Sequence, residues 1–226
     1  MFEFKQFRVH DELCAMKVGT DGVLIGAWAD VEDVGRILDI GTGSGLIVLM
    51  LAQRSAKAEI LGVDVDADAV RQAAINFNAS SWSDRLSAVE CDVRGLEGSA
   101  RFDHIVSNPP YFVETTESPN ASRAIARHAT HLHFGDIVAV AERLLVDGGK
   151  LSVILPSDVA AQFRREVFEH LWLSRQTDVV TKPGEAPRRT MMEFRKTQNP
   201  LNPRCDTLAI GSPEYCELVK DFYLNI

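Results

Sequence analysis

A doubly wound α/β fold on a parallel sheet is what this 226-residue sequence predicts. Three observations carry that expectation. From Arg36 onward, short β-rich runs alternate with longer segments of helical period. A glycine-rich turn closes the first of those runs and opens a helix. An apolar content of 46% is ordinary for a chain that buries a core. No linker, repeat or low-complexity tract interrupts the pattern. The expectation is therefore one domain over 1–226, with residues 1–30 as an N-terminal extension folded onto it.

The elements follow in order. RILDI (36–40) reads as a strand, GLIVLMLAQR (45–54) as a helix and EILGVD (59–64) as a strand. DADAVRQAAINFNA (66–79) reads as a helix, with Asp66 as its cap and Asp68 as a first-turn charge. RLSAVECD and FDHIVS supply two more strands, and a helix is expected over 136–145. Gly148 and Gly149 are read as a turn before the strand KLSVILP (150–156), which a helix over 159–170 follows. Strands at 172–180 and 189–196 flank a Pro and Gly segment that serves as a hairpin turn or a longer loop. A short strand at 207–210 and a helix over 213–222 close the chain.

Composition excludes several function classes. Lys and Arg number 24 against 32 Asp and Glu, and the net charge of -8 counts against a polyanionic partner. The longest strongly apolar run, 46–52, is far short of the roughly 20 residues that cross a bilayer. The opening MFEFKQFRVH lacks the apolar stretch of a signal peptide, so a cytoplasmic location is expected. Cys14, Cys91, Cys205 and Cys216 form no CxxC pair, which argues against a disulfide framework or a cysteine zinc site. Asp64, Asp66 and Asp68 begin like a calcium loop, but Ala69 and Ile75 stand where its Gly and Glu belong. His128, His131 and His133 have neither cysteine nor carboxylate partners, and no metal is expected.

The turn Asp39-Ile40-Gly41-Thr42-Gly43-Ser44-Gly45 lets a ligand approach the backbone at a helix N-terminus. The dinucleotide pattern G-x-G-x-x-G fails because Leu46 occupies its sixth position, and no Lys-Ser or Lys-Thr completes a P-loop. An acidic residue, one residue, then G-x-G-x-G resembles motif I of the class I S-adenosylmethionine methyltransferases. The resemblance implies that Asp39 faces the amino acid end of that cofactor beside Gly41 and Gly43. It also implies a sheet that is mostly parallel with an antiparallel last strand. Asp64 ends the next strand where a ribose diol would lie. Asp92 and Val93 follow the third strand, where the family has an acceptor for the adenine amino group.

The fourth strand runs into Asn108-Pro109-Pro110-Tyr111, which resembles motif IV of the amino-methyltransferases. These alkylate adenine N6, guanine N2 or the glutamine amide. Such a nitrogen is a poor nucleophile because its lone pair is delocalised. Two acceptors, the Asn108 side-chain oxygen and the Pro109 carbonyl, would hold the amino group and raise its electron density in the transition state. Tyr111 would stack on a planar substrate.

Phe4-Lys5-Gln6-Phe7 and the run from Ala15 to Trp28 resemble the opening of the bacterial tRNA1(Val) adenine-N6 methyltransferases, which modify adenosine 37. The resemblance spans nearly the whole chain, including NPPYF and the closing DFYL. It implies that residues 1–30 cover the cofactor site and that Gln6, Lys17 and Thr20 line it. Phe4 and Phe7 are read equally well as covering a core face. The polar stretch 114–134 has the length of a substrate loop and holds Arg123, Arg127 and His128. Phe112, those three residues, Lys182, Arg188 and Arg189 are the substrate candidates. Residues 30–104 carry a net charge of -6, whereas 182–204 carry +4, a local surface suited to phosphates.

The expected enzyme is a monomer that uses S-adenosylmethionine to methylate N6 of an unpaired adenine in tRNA, without metal or membrane. A glutamine or guanine-N2 methyltransferase shares NPPY, although the glutamine enzymes resemble chains with a helical domain ahead of the glycine loop. A nicotinamide oxidoreductase and an inactive nucleic-acid-binding module are the alternatives outside that chemistry.

Overall fold

The computed structural model describes residues 1–96, 101–110, 132–197 and 202–225. Two short strands, β1 (Phe2–Glu3) and β2 (Arg8–Val9), pair antiparallel ahead of α1 (Thr20–Trp28). The alternation then runs β3 (Arg36–Ile40), α2 (Leu46–Arg54), β4 (Glu59–Asp64), α3 (Ala67–Asn78), β5 (Leu86–Glu90) and β6 (Phe102–Ser107). It continues as α4 (Phe134–Leu144), β7 (Leu145–Pro156), α5 (Ser157–Val167), β8 (Trp172–Val180), β9 (Arg189–Arg195), β10 (Arg204–Ala209) and α6 (Pro213–Val219).

Eight strands form one sheet in the order β10-β8-β9-β7-β6-β3-β4-β5. All run parallel except β9, which lies antiparallel between β7 and β8. The doubly wound fold is thus as expected. The antiparallel strand is β9, and one further strand, β10, follows it and runs parallel to β8. Strand order reverses at the β3–β6 pair, the place where an open α/β sheet leaves a crevice at its carboxyl edge.

Two apolar layers cover the sheet. α1, α2, α3 and the C-terminal Val219 and Phe222 pack on one face, and α4 and α5 on the other. Beyond Thr20 and Asp21, α1 has no polar face: all of Gly22 through Trp28 is buried. Gly22 and Gly26 let it approach α2, for a Cβ at Gly26 would stand 2.8 Å from Met50 Sδ. Burying Val23, Leu24 and Ile25 there contributes about 1.5–3 kcal/mol apiece. Its C-terminal end is pinned to β8: Trp28 Nε1 donates to Thr177 Oγ1 at 2.9 Å, and the Arg175 guanidinium lies 3.6 Å from the Trp28 ring centre.

One expected turn is absent. Gly148 and Gly149 lie inside β7, where the pairing with β6 shifts register between Phe102 and His104. Lys196 holds them in the sheet through Gly148 N–H to Lys196 O and Lys196 N–H to Gly149 O. The glycines therefore permit an irregular strand, with Gly148 at φ 77°, instead of ending one. Asp66 does cap α3, accepting from the Asp68 N–H at 2.9 Å.

Candidate active site

The glycine turn leaves the carboxyl end of β3. Gly41, Gly43 and Gly45 have φ of 75°, 53° and 79°, which L side chains rarely adopt. Gly45 is also constrained by packing, since a Cβ there would fall 2.3 Å from Phe77 Cε1. The turn is tied to β4: Gly41 and Thr42 both donate to Val63 O, at 2.9 and 3.0 Å. Among the described residues, no side chain caps α2 behind it.

Asp39 is wholly buried in β3. Burial pushes its carboxyl up to about 7, with repulsion from Asp64 adding to the effect. The neighbouring Thr42 hydroxyl pulls the other way. Yet neither carboxylate oxygen nor Thr42 Oγ1 has a hydrogen-bond partner of normal geometry among the described residues. A buried, unsatisfied carboxyl costs roughly 1–3 kcal/mol or more. It fits a ligand that brings its own donors, an ammonium above all.

Asp64 is half-buried, and each of its oxygens accepts one backbone N–H: Gly43 at 2.9 Å and Asp66 at 3.1 Å. Each oxygen keeps a lone-pair site for a hydroxyl donor. Asp92, the acceptor expected to meet an adenine amino group, is bound by Arg94: the Arg94 guanidinium donates to both Asp92 oxygens and its backbone N–H to Oδ1, and this holds the Asp92 carboxyl below its ordinary value. Val93 packs its side chain into the core and has only its main chain to offer a ligand.

The β3–β6 register pairs Ile40 with Ser107, and Ser107 Oγ donates to Ile40 O at 2.8 Å. Gly41 and Asn108 therefore leave the sheet from adjacent strand ends, with Asp39 immediately behind. Asn108 is half-buried, Pro109 buried and Pro110 exposed. Tyr111, Phe112, Arg123, Arg127 and His128 lie outside the described residues, as does the rest of 111–131.

The N-terminal candidates separate. Gln6 lines a cleft of about 560 Å³ with Asp30, Gln53, Arg54 and Asp221, at the far end of α2 from the glycine turn. Phe4 and Phe7 belong to the core. Gln6, expected to line the cofactor pocket, thus stands away from the glycine turn, on a segment anchored by those two rings. Lys17 holds its ammonium on the carbonyls of Asp11 and Cys14 at 2.7 and 3.1 Å, within the segment that Asn76 ties to the glycine turn. Thr20 opens α1 and is exposed. Sequence reasoning misses Asn76 and Gln72. Asn76 bridges His10 to Ser44 in the glycine turn, and Gln72 accepts from the Leu13 N–H. Two buried polar residues four apart on the inner face of α3 are the available signal.

A family model described as the methyltransferase small domain matches residues 22–178. A protein of Phocaeicola vulgatus named tRNA1(Val) (adenine(37)-N6)-methyltransferase is 47% identical over 234 residues, covering all of this chain and 98% of the relative. A Bacteroides thetaiotaomicron protein of the same name is 42% identical over 231 residues with the same coverage. The chain belongs to the tRNA1(Val) (adenine(37)-N6)-methyltransferase family. Among solved structures, an Agrobacterium tumefaciens protein described as a predicted O-methyltransferase has a TM-score of 0.69 at 23% identity, over 92% of this chain and 100% of that one. TrmN from Thermus thermophilus has a TM-score of 0.55 at 23% identity, over 72% of this chain and 44% of that one. Both likenesses are of fold.

In this member of the tRNA1(Val) (adenine(37)-N6)-methyltransferase family the basic run 182–204 is not one surface. Lys182 and Arg188 are exposed in the β8–β9 loop, and Arg189 opens β9 opposite Pro156, all at the carboxyl edge. Arg195, at the other end of β9, is paired with Lys150, and Arg204 opens β10 beside Arg175, both at the opposite edge. Lys196 Nζ binds the carbonyls of Glu142 and Leu145 at the end of α4. Arg189 is bound as well, its Nε 2.7 Å from Asp21 Oδ2 on α1. No helix among the described residues is long and apolar enough to cross a membrane.

Proposed function

We propose that this chain transfers a methyl group from S-adenosylmethionine to N6 of an unpaired adenine in tRNA, the target being adenosine 37 of tRNA1(Val) as in the names of its relatives. One observation carries the reading: Asn108-Pro109 leaves β6 beside Gly41, directly in front of an unsatisfied buried carboxyl. The whole chain works as one domain, with 10–18 lying near the cofactor site and 1–9 serving the core. Asp39 would hold the cofactor's ammonium, Asp64 its ribose hydroxyls, and the main chain of Gly41, Gly43 and Val93 its polar edges. The cofactor supplies an electrophilic methyl on a sulfonium. Asn108 Oδ1 and the Pro109 carbonyl would each accept a hydrogen bond from the amino group and aim the nitrogen lone pair; once the methyl has left its sulfur as a thioether, the cationic nitrogen releases one proton to solvent. Tyr111, Phe112, Arg123, Arg127 and His128, all outside the described residues, are the candidates for the substrate base and its loop.

The test is direct. Purified protein, S-adenosylmethionine and undermodified total tRNA are incubated and the nucleosides resolved by mass spectrometry. N6-methyladenosine is the expected product; methylguanosine alone, or no methylated nucleoside, sinks the reading.

The split basic run sharpens the expected tRNA contact to Lys182 and Arg188. Arg188→Ala should weaken tRNA binding and reduce the slope of log affinity against log salt by about one. Arg189→Ala should instead lower stability by about 1 kcal/mol, because its partly buried ion pair with Asp21 is lost. Filter binding across a salt series and thermal unfolding separate the two. An unchanged salt slope in Arg188→Ala would remove that residue from the interface.

A further inference from the structure

Asn76 is only 1% exposed, and its amide spans two segments that share no other described bond. Its Nδ2 donates to Ser44 O at 2.8 Å and to His10 O at 2.7 Å, and its Oδ1 accepts from the His10 N–H at 3.0 Å. Ser44 stands between Gly43, whose N–H meets Asp64, and Gly45, whose N–H meets Thr42 O at 2.8 Å. Fixing the Ser44 carbonyl fixes the Ser44–Gly45 peptide plane, and so the shape of the turn that a cofactor would touch.

On its other side Asn76 grips a preformed hook. Within 10–18, Asp11 Oδ2 accepts from the Val18 N–H at 3.1 Å and Asp11 O from the Cys14 N–H at 3.2 Å. The Lys17 ammonium gathers the carbonyls of Asp11 and Cys14. Gln72, one helical turn before Asn76 and 3% exposed, accepts from the Leu13 N–H at 3.2 Å. Cys14 is buried, and burial, then the charges of Asp11, Asp64 and Asp66, push its thiol up to about 11. Through Asn76 the hook is tied to the turn whose Gly43 N–H meets the carboxylate assigned above to the ribose. An apolar side chain at position 76 would fill the same space without joining the two segments.

We infer that Asn76 is a positioning residue that couples the hook 10–18 to the glycine turn, so that the adenosyl cofactor is retained by two elements held as one. The inference rests on the proposed S-adenosylmethionine site. Without the amide the hook loses its tie to the turn, and the cofactor escapes faster while the acceptors at Asn108 and Pro109 are untouched.

The test uses the full chain with Asn76→Ala, and with Gln72→Ala as the second variant; both replacements favour a helix, so α3 is retained. Hydrogen exchange followed by mass spectrometry should show faster exchange in 10–18 for both variants, with the sheet strands unchanged. Calorimetry with S-adenosylhomocysteine should show affinity about tenfold weaker in Asn76→Ala, as expected for the loss of one to two net hydrogen bonds. KM for S-adenosylmethionine should rise by a similar factor, with kcat at saturation within about twofold of wild type. A folded Asn76→Ala protein whose segment 10–18 exchanges like wild type, or whose affinity is unchanged, overturns the coupling. Should Asn76→Ala not fold, Gln72→Ala with wild-type exchange and affinity overturns it equally. Wild-type protein that ignores S-adenosylhomocysteine overturns the cofactor reading itself, and the coupling with it.

Discussion

Asp39→Asn is expected to stabilise the free protein above neutral pH and to weaken its hold on the cofactor by orders of magnitude. Both effects come from one buried carboxyl without a partner among the described residues. Its value of about 7 in the folded chain lies far above the 3.8 of an ordinary aspartate. Between those two values the folded chain holds a proton that the unfolded chain has released. Stability therefore falls as pH rises through that window, and above 7 the full penalty stands, on the order of 4 kcal/mol. Asn keeps the shape and removes the ionisation, so Asp39→Asn should lose much less stability between pH 5 and pH 8. Urea unfolding of the free proteins at the two pH values measures the difference; parallel losses would show that Asp39 is not the titrating group.

Cofactor binding inverts the sign. An ammonium placed against Asp39 stabilises the carboxylate, so affinity for S-adenosylhomocysteine should weaken by about tenfold per pH unit below 7, where the free carboxyl is protonated. Binding near pH 7 should release a proton, which calorimetry detects as a heat that varies with the ionisation enthalpy of the buffer. Asp39→Asn should bind roughly 10²–10³-fold more weakly, since an ionic partner is lost from a buried site. Its remaining affinity should be independent of pH over that range. An affinity that stays flat with pH in the wild type would place the ammonium elsewhere.

Strand positions and the glycine turn are legible in the sequence because they depend on local pattern. A β-rich run followed by glycines at positive φ is written in RILDIGTGSG itself, and it locates Asp39 and Gly45 correctly. α1 is not legible as a helix, because beyond Thr20 and Asp21 it is buried on every side and shows no polar face to mark a period. Asn76 escapes notice because its partners, His10 and Ser44, are 66 and 32 residues away. Charge misleads in the same way. The six basic residues of 182–204 look like one cluster along the chain, yet β9 carries Arg189 at one edge of the sheet and Arg195 at the other. Asp92 is legible as a residue at a strand end, but its capture by Arg94 depends on the turn that follows. Periodicity reports what is buried, whereas these features depend on which distant groups meet.

Asn108→Ala should lower kcat by roughly 10²–10³-fold while leaving affinity for S-adenosylhomocysteine within about twofold of wild type. The size follows from the nucleophile. An exocyclic amino nitrogen shares its lone pair with the ring, and attack requires that pair to be withdrawn from conjugation as the new bond forms. Acceptors that bind both amino protons strengthen their bonds as positive charge grows on nitrogen, so their contribution appears in kcat. Their placement is fixed by the chain. Ser107 ties β6 to β3 at the last paired position, and each residue that precedes a proline, Asn108 and then Pro109, is held to extended backbone. Asn108→Asp keeps an acceptor oxygen and should retain more activity than Asn108→Ala. Single-turnover methylation of undermodified tRNA, read by nucleoside mass spectrometry, isolates this step from product release. A parallel loss of S-adenosylhomocysteine affinity would make Asn108 a cofactor ligand, and an undiminished single-turnover rate would leave the amino group to be held by groups in 111–131.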